Sequence, residues 1–393
     1  MRLSAVVVPS MLMAGSAGAQ VVSEREFLAG ITEGHPALAS TIQPLADAQA
    51  AVERARVLSN PILEAIREDP QEVARQTTFT VSWTLPIDGR RGLGIDAAEA
   101  GLAAAEKQVA SLRLQLQLEA KAVYAQWAVA TTLERALGAD ARDVIALARR
   151  VRARAEAGEE SALAALRLDL AAADVQAEVR SAAVSRVLAG AVARSWRPEL
   201  PPGAVPELPA LGAPQEQAAP VVLEALHREA ERARLQERLA GRYWSAPALQ
   251  AGWQRQHFND ASGPVFGLSW TIPIFDRNQG SRHEAQRRRE LAEARLAWTT
   301  ARVAAAVEGR RGVLGVERQA MEEAEQAAAL APPVVKAATA RFEAGEGTVT
   351  ELVEAISAAR SAQRRAVEAR ARALAAERHL VATEAGLIEG ELR

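Results

Sequence analysis

Residues 82–87 read SWTLPI and residues 269–274 read SWTIPI, nearly the same hexapeptide at an offset of 187 residues. A second pair of matching segments lies at the same offset, RAEAGE at 154–159 and RFEAGE at 341–346. Widely separated matches on one diagonal are typical of an internal duplication. The sequence therefore predicts one structural unit that is present twice in the chain.

The duplication divides the 393-residue chain into a first repeat over 20–195 and a second repeat over 221–393. Between them, residues 196–220 contain seven of the 18 prolines, which predicts an extended connector. Residues 1–19 combine a basic start, an apolar run and a small-residue Ala-Gly-Ala end. This pattern is typical of a signal peptide that is removed on export.

Each hexapeptide lies in a run where large apolar residues alternate with small or polar ones. The alternating apolar positions, which we predict to face lipid, are Phe79, Val81, Trp83 and Leu85 in the first repeat and Phe266, Leu268, Trp270 and Ile272 in the second. A period of two places such residues on one face of a strand. We predict strands at about 61–70, 77–88, 247–259 and 264–275, with Trp83 and Trp270 near the middle of theirs.

The length of these strands and the character of their second face favour a membrane channel. Roughly 9–11 residues allow a tilted strand to cross a bilayer. The opposite face is small and mostly polar, as in a channel lumen. Four strands cannot close a barrel, but three chains supply twelve, an even number as in bacterial barrels. An ordinary hairpin on the core of a soluble domain is the alternative interpretation.

The predicted fold class is mainly α with a membrane β-barrel: long antiparallel helical hairpins form an α-barrel, and four strands per protomer form a trimeric twelve-stranded β-barrel. Residues 96–156 contain no proline. At 1.5 Å per residue they predict a helix on the order of 90–100 Å long. Such a helix is typical of a coiled coil or of a tube that crosses the periplasm. Pro332-Pro333 predicts a break in the second long helix.

A Gly followed by Ser or Thr marks the turn of each predicted helical hairpin. The Gly ends one helix and the hydroxyl residue caps the next. Thr348 and Glu351 also have the spacing of a capping box. We interpret these turns as exposed docking tips, with the candidate residues Arg154, Gly158, Glu159, Ser161, Arg341, Gly345, Glu346 and Thr348.

Composition argues against several other functions. The formal net charge is −2, which does not favour a nucleic-acid binder. The chain has no cysteine, and its five histidines have no metal-ligand spacing. Nucleotide-binding and nucleophile motifs are missing as well. We therefore predict that the protein is not an enzyme and uses no cofactor or metal site.

The duplicated strand ends, the long helices and the two R-x-x-x-G-x-x-[ST] tips resemble the outer membrane factor (TolC-type) efflux family over nearly the whole mature chain. This resemblance implies a homotrimer in the outer membrane of a Gram-negative cell, with a helical tunnel in the periplasm. It also implies passive conduction of cargo, with a periplasmic adaptor (membrane fusion protein), an inner membrane pump of the RND type and outer membrane lipid as partners.

The segment 275–280, FDRNQG, is similar to the heavy-metal (cobalt–zinc–cadmium) branch of that family. Heavy-metal cations, including copper, are then the expected cargo. Drug export and type I protein export by a channel of the same family remain alternatives, and a periplasmic coiled-coil adaptor or scaffold is a second alternative. The resemblance further implies a tunnel constriction beyond the second tip, for which Glu351 and Glu354 are candidates, although solvated helix faces are the simpler interpretation of both.

Overall fold

The computed structural model describes residues 20–29, 31, 36–68, 75–212, 220–242, 245–257 and 260–388. The elements in chain order are β1 (Val21–Val22), α1 (Glu24–Ala29), α2 (Pro36–Arg56), β2 (Ile62–Glu68), β3 (Gln76–Thr84), α3 (Arg90–Glu156), α4 (Ala162–Trp196), β4 (Val205–Pro206), α5 (Val221–Ala240), β5 (Ala248–Gln256), β6 (Ser262–Ser269), α6 (Gln279–Ala329), α7 (Ala331–Glu343) and α8 (Val349–Glu384). The signal peptide expected at 1–19 lies outside the described residues.

The chain folds into two units, which we name after the features they contain. The sheet unit comprises the described residues within 36–114, 218–306 and 383–393. The tip unit comprises those within 20–35, 115–217 and 307–382. The prediction of a mainly α fold with four strands that form one sheet is confirmed.

The sheet unit contains an antiparallel four-stranded sheet with the strand order β2-β3-β5-β6. Strand β3 pairs with β5 over its full length, from Gln76 opposite Gln256 to Thr84 opposite Ala248. The second strand of the first repeat thus lies beside the first strand of the second repeat. Strands β2 and β6 are the outer strands of the sheet.

The predicted strands extend too far at the end where the long helices begin. Strand β3 ends at Thr84 and β6 ends at Ser269, so Leu85, Trp270 and Ile272 lie beyond the paired strands. The central strand explains the correction: β5 begins at Ala248, directly after Pro247, whose nitrogen has no hydrogen to donate to a neighbouring strand. Trp83 is therefore the penultimate residue of β3 and Trp270 directly follows β6, and the prediction that they lie near the middle of their strands is wrong.

Two hydrophobic clusters hold the tip unit together. One surrounds the hairpin ends and includes Val151, Leu168 and Leu352, all buried. The other surrounds Tyr124, whose hydroxyl lies 2.7 Å from the carbonyl oxygens of both Val22 and Glu207. Val22 is the last residue of β1 and Glu207 directly follows β4, so Tyr124 fixes the connector beside the N-terminal strand.

The proline pair interrupts the second long helix, as the sequence predicts. Helix α6 ends at Ala329, and α7 begins at Ala331 with proline in its first turn. Proline is tolerated there because the first amide hydrogens of a helix have no intrahelical partner. Helix α3, which contains no proline, continues without a break from Arg90 to Glu156.

Among the described residues, we find no helix that is long and apolar enough to cross a membrane.

Candidate functional site

One face of the four-stranded sheet is apolar, and it is exposed within the protomer. The register places Phe79 beside Trp253, and Val81 between Leu63 and Ala251. The face consists of Leu63, Ala65, Arg67, Thr77, Phe79, Val81, Trp83, Leu249, Ala251, Trp253, Arg255, Ser262, Pro264, Phe266 and Leu268. Phe79 is 52% exposed and Phe266 is 80% exposed. The two charges on this face, Arg67 and Arg255, both lie in the row farthest from Trp83. The other rows form an apolar patch of the kind that marks an interaction surface.

The opposite face of the same sheet is polar. It carries Ile62, Glu64, Ile66, Glu68, Thr78, Thr80, Ser82, Thr84, Ala248, Gln250, Gly252, Gln254, Gln256, Gly263, Val265, Gly267 and Ser269. A Cβ on Gly252 would collide with the carbonyl oxygen of Phe79, so the approach of β3 and β5 requires glycine there. The sheet therefore separates an apolar side from a side lined mostly by hydroxyl and amide groups.

Each repeat fixes the tryptophan at the end of its second strand in the same way. The indole nitrogen of Trp83 donates a hydrogen bond of 3.0 Å to the carbonyl oxygen of Ser59. The indole nitrogen of Trp270 donates a hydrogen bond of 2.9 Å to the carbonyl oxygen of Ser245. In both repeats the acceptor lies shortly before the first strand. The sequence identified both tryptophans but not this role, since no local pattern reveals the acceptor.

The first tip ends α3 with a glycine in the left-handed region, Gly158, at φ +77°. The amide of Glu159 donates to the carbonyl oxygen of Arg154 at 2.9 Å, and Gly158 donates to Ala155 at 3.1 Å. These two bonds form a Schellman motif, which only a residue that tolerates positive φ completes without strain. The Oγ of Ser161 then caps α4 by accepting from the amide of Ala164.

The second tip has the same geometry. Gly345 has a φ of +74°, and Glu346 donates to the carbonyl oxygen of Arg341 at 2.9 Å. Thr348 and Glu351 form a reciprocal capping box, with bonds of 3.2 and 3.4 Å. The predicted cap residues of both tips thus occupy the predicted positions.

The two tips lie side by side within the tip unit. Arg150 on α3 forms an ion pair of 3.2 Å with Glu343 on α7, and Arg167 on α4 donates to the hydroxyl of Thr350 on α8. Phe342 and Leu352 of the second tip belong to the same hydrophobic cluster as the first tip. Arg150, Arg167, Glu343 and Thr350 were missed by sequence reasoning, since they are far apart in the chain.

The two constriction candidates have different environments. Glu351 is bound to the amide of Thr348 and lies 3.9 Å from Arg341, so its carboxylate contributes to the shape of the tip. Glu354 is exposed on α8. A further carboxylate, Asp140 on α3, is half-buried, and this burial raises its pKa above the ordinary value.

The described residues contain no group of three or more His, Asp or Glu side chains that could hold a metal ion. The arrangement offers a boundary between apolar and polar surroundings and a pair of rigid exposed loops.

Two curated proteins resemble the sequence. The nickel-cobalt-cadmium resistance protein NccC of Alcaligenes xylosoxydans xylosoxydans is 30% identical over 266 residues, which cover 62% of this chain and 59% of NccC. The cobalt-zinc-cadmium resistance protein CzcC of Cupriavidus metallidurans is 25% identical over 269 residues, which cover 65% of this chain and 64% of CzcC. The chain thus spans about three fifths of the length of these relatives. No family model matches the chain.

Two solved structures resemble the fold over nearly the whole chain. The outer membrane protein VceC of Vibrio cholerae superposes with a TM-score of 0.71 at 17% identity, covering 92% of this chain and 96% of VceC. CusC, described with transmembrane channel formation, superposes with a TM-score of 0.73 at 12% identity, covering 92% and 91%. At these identities the likeness shows a shared fold.

Proposed function

We propose that this chain, which shares the fold of VceC and CusC, belongs to the outer membrane factor (TolC-type) family and is the outer membrane channel of a tripartite efflux system. The observation that carries the proposal is the sheet with an exposed apolar face and a polar opposite face. A water-soluble domain would bury such an apolar face against a core. In a channel wall, lipid covers the apolar face and cargo passes along the polar one.

The channel is a homotrimer in the outer membrane of a Gram-negative cell, with the helices as a tunnel in the periplasm. Strands β2 and β6 are the outer strands of the sheet, and such strands expose unpaired backbone groups. Pairing β6 of one protomer with β2 of the next satisfies these groups and closes a twelve-stranded barrel. The sequence duplication is also visible in this assembly, because each repeat, 20–195 and 221–393, supplies two strands of the four-stranded sheet and one tip.

The two tips dock a periplasmic adaptor, which couples the channel to an inner membrane pump of the RND type. Their backbone is fixed by the glycine turns and caps, and their side chains are exposed. The candidate docking residues are Arg154, Gly158, Glu159, Ser161, Arg341, Gly345, Glu346 and Thr348. Glu354, three residues beyond the capping carboxylate Glu351, favours cations at a constriction near the tips.

Heavy-metal cations are the cargo that we propose. The sequence relatives carry nickel, cobalt, zinc and cadmium resistance in their names, and the similarity covers most of this chain. Protein oxygens on the polar sheet face, including Glu64 and Glu68, suit the passage of hydrated cations without tight binding. The protein is a passive conduit and not an enzyme.

A growth experiment with metals tests the proposal. Deletion of the gene should increase intracellular cobalt, zinc or cadmium and lower the tolerated concentration of that metal. Plasmid-borne wild type should restore tolerance. Unchanged metal tolerance with increased sensitivity to a drug would move the cargo to the drug class. Recovery of the protein as a soluble periplasmic monomer would instead favour an adaptor or scaffold.

A further inference from the structure

A Trp-Ile-Arg set recurs at an offset of 187 residues where each second strand meets the following long helix. The first set is Trp83, Ile87 and Arg90, and the second is Trp270, Ile274 and Arg277. All six side chains are exposed, Ile87 to 71% and Ile274 to 62%. Both sets belong to the sheet unit.

The backbone between these residues has the same form in both repeats. The amide of Ile87 donates to the carbonyl oxygen of Leu85 at 2.8 Å, and that of Ile274 donates to Ile272 at 3.0 Å. These are three-residue turns centred on a proline, whose fixed φ suits an inverse γ-turn. An exposed isoleucine therefore follows the tryptophan at the same spacing in each repeat.

An aspartate then turns the chain toward the helix. Asp88 accepts the amide hydrogen of Arg90 at 3.1 Å, and Asp276 accepts that of Asn278 at 2.8 Å. Such bonds to the backbone two residues on define an Asx-turn. The turns set the position of Arg90 and Arg277 relative to the strand ends.

Side-chain bonds also tie each junction to the helix that precedes its two strands. The guanidinium of Arg91 donates to the carbonyl oxygen of Arg56, at the end of α2, at 2.6 Å. The side-chain amide of Asn278 donates to the carbonyl oxygen of Ala240, at the end of α5, at 3.0 Å. The exposed set is thus held on a fixed junction in both repeats.

The chemistry of the set matches the boundary between lipid tails and headgroups. Tryptophan and arginine combine an apolar body with a polar end and favour this level of a bilayer. In the loop after the second set, Phe275 is 90% exposed. Within the part of the chain that the structure describes, neither Arg90 nor Arg277 has a carboxylate within 4 Å. Both guanidinium groups are therefore available to a phosphate.

We propose that the duplicated Trp-Ile-Arg set is a lipid anchor that binds the phosphate of anionic phospholipids in the membrane leaflet nearer the helices. The proposal rests on the proposed function, because it requires the sheet to lie in a membrane. Indole and isoleucine enter the edge of the hydrocarbon region, and each guanidinium binds a headgroup phosphate. A trimer then carries six such sets, which fix the depth of the channel and leave its helices in water.

A fluorescence experiment tests the anchor. Because the chain has no cysteine, Phe275→Cys creates a unique site for a bimane label next to the set, and Phe266→Cys creates one on the sheet face. Each labelled trimer is reconstituted into vesicles that contain brominated phosphatidylglycerol or brominated phosphatidylcholine at equal mole fraction. Bromine quenches only fluorophores that lie beside the lipid.

We expect both lipids to quench the label at position 266 equally, and phosphatidylglycerol to quench the label at 275 more strongly. In Arg90→Gln/Arg277→Gln the preference for phosphatidylglycerol should fall by about fivefold for each guanidinium removed, at about 1 kcal/mol per basic residue near the surface. Arg287→Gln/Arg288→Gln is the matched control. These arginines are also exposed but lie further along α6 and pair with Glu290 and Glu284. The control should keep the preference.

The outcomes separate the anchor from the channel. Equal quenching at 275 by the two lipids, or a preference that survives in Arg90→Gln/Arg277→Gln, would overturn the anchor while quenching at 266 keeps the membrane sheet. Loss of quenching at 266 in all vesicles would instead overturn the proposed function and with it the anchor.

Discussion

Replacing Phe79 by arginine places a charge on the apolar face of the sheet, between Ala65 and Trp253. Phe79 lies four residues from Trp83, which is about 13 Å along a strand at roughly 3.4 Å per residue. With a strand tilt of about 35–45° this corresponds to a depth of about 10 Å below the level of Trp83. That depth is near the middle of an apolar band about 25 Å tall.

At this depth arginine should cost about 2–4 kcal/mol per protomer, as expected near the midplane of a membrane barrel. Three copies act together in a trimer, so the loss should be about 6–12 kcal/mol per assembly if the copies are independent. If water covered this half-exposed face, the same change would cost within about 0.5 kcal/mol. A lipid-covered face and a water-covered face therefore predict losses in the free energy of unfolding that differ by several fold.

Thr80→Arg is the matched control, because Thr80 neighbours Phe79 and points to the polar face. Its cross-strand partners there are Glu64, which offers a carboxylate, and Gly252, which has no side chain. The assay is urea unfolding of the trimer from phospholipid vesicles, with Phe79→Ala as the reference for the lost ring. Equal free energies for Phe79→Ala and Phe79→Arg, or a larger cost for Thr80→Arg, would refute the assignment of the two faces.

Three further predictions concern the tip unit. Tyr124→Phe should lower the free energy of unfolding by about 1–3 kcal/mol, because the buried hydroxyl that lies between the carbonyl oxygens of Val22 and Glu207 is lost, and denaturant titration would measure the change. Asp140→Asn should stabilise the fold at pH 7. Burial raises the pKa of Asp140 in the folded state, so ionisation of its carboxyl destabilises the fold. The stability gained by the asparagine should disappear as the pH falls below the unfolded pKa of about 3.9, and thermal melts across this pH range would measure it. Gly345→Pro should weaken adaptor crosslinking and metal export at normal trimer levels, because proline cannot adopt the φ of +74°; full export by this variant would contradict a docking role for the tip.

The strand faces could be predicted because a period of two appears directly in the sequence. Phe79 and Phe266 are on the predicted face, and both are exposed. The strand ends were less predictable, since the alternation of Leu85 and Ile272 continues past the last paired residues. Alternation reports the positions of side chains, whereas a strand ends where its backbone partners end.

Alternation is also not sufficient to identify a strand. Leu116 and Leu118 belong to a run of alternating leucines, yet both lie within helix α3 and are buried. In that run, the leucines are buried by packing of the helix although their spacing is that of a strand. Strands β3 and β5 differ because their apolar residues share one face with direct neighbours across the sheet.

The tips could be predicted one at a time but not as a pair. Gly158 and Gly345 are identified by local helix-stop signals, and both have positive φ. The contact from Arg167 to Thr350 joins residues 183 positions apart, and no short-range pattern encodes it. The paired tips thus arise from the packing of α3, α4, α7 and α8.

The central claim, a trimeric channel in the outer membrane, is tested most directly by recording purified protein in planar lipid bilayers after extraction from the outer membrane. The account predicts a trimeric mass in detergent and discrete conductance steps. It also predicts that Phe79→Arg abolishes the steps and Thr80→Arg preserves them. A protein that fractionates with the soluble periplasm as a monomer and leaves the bilayer silent would contradict it.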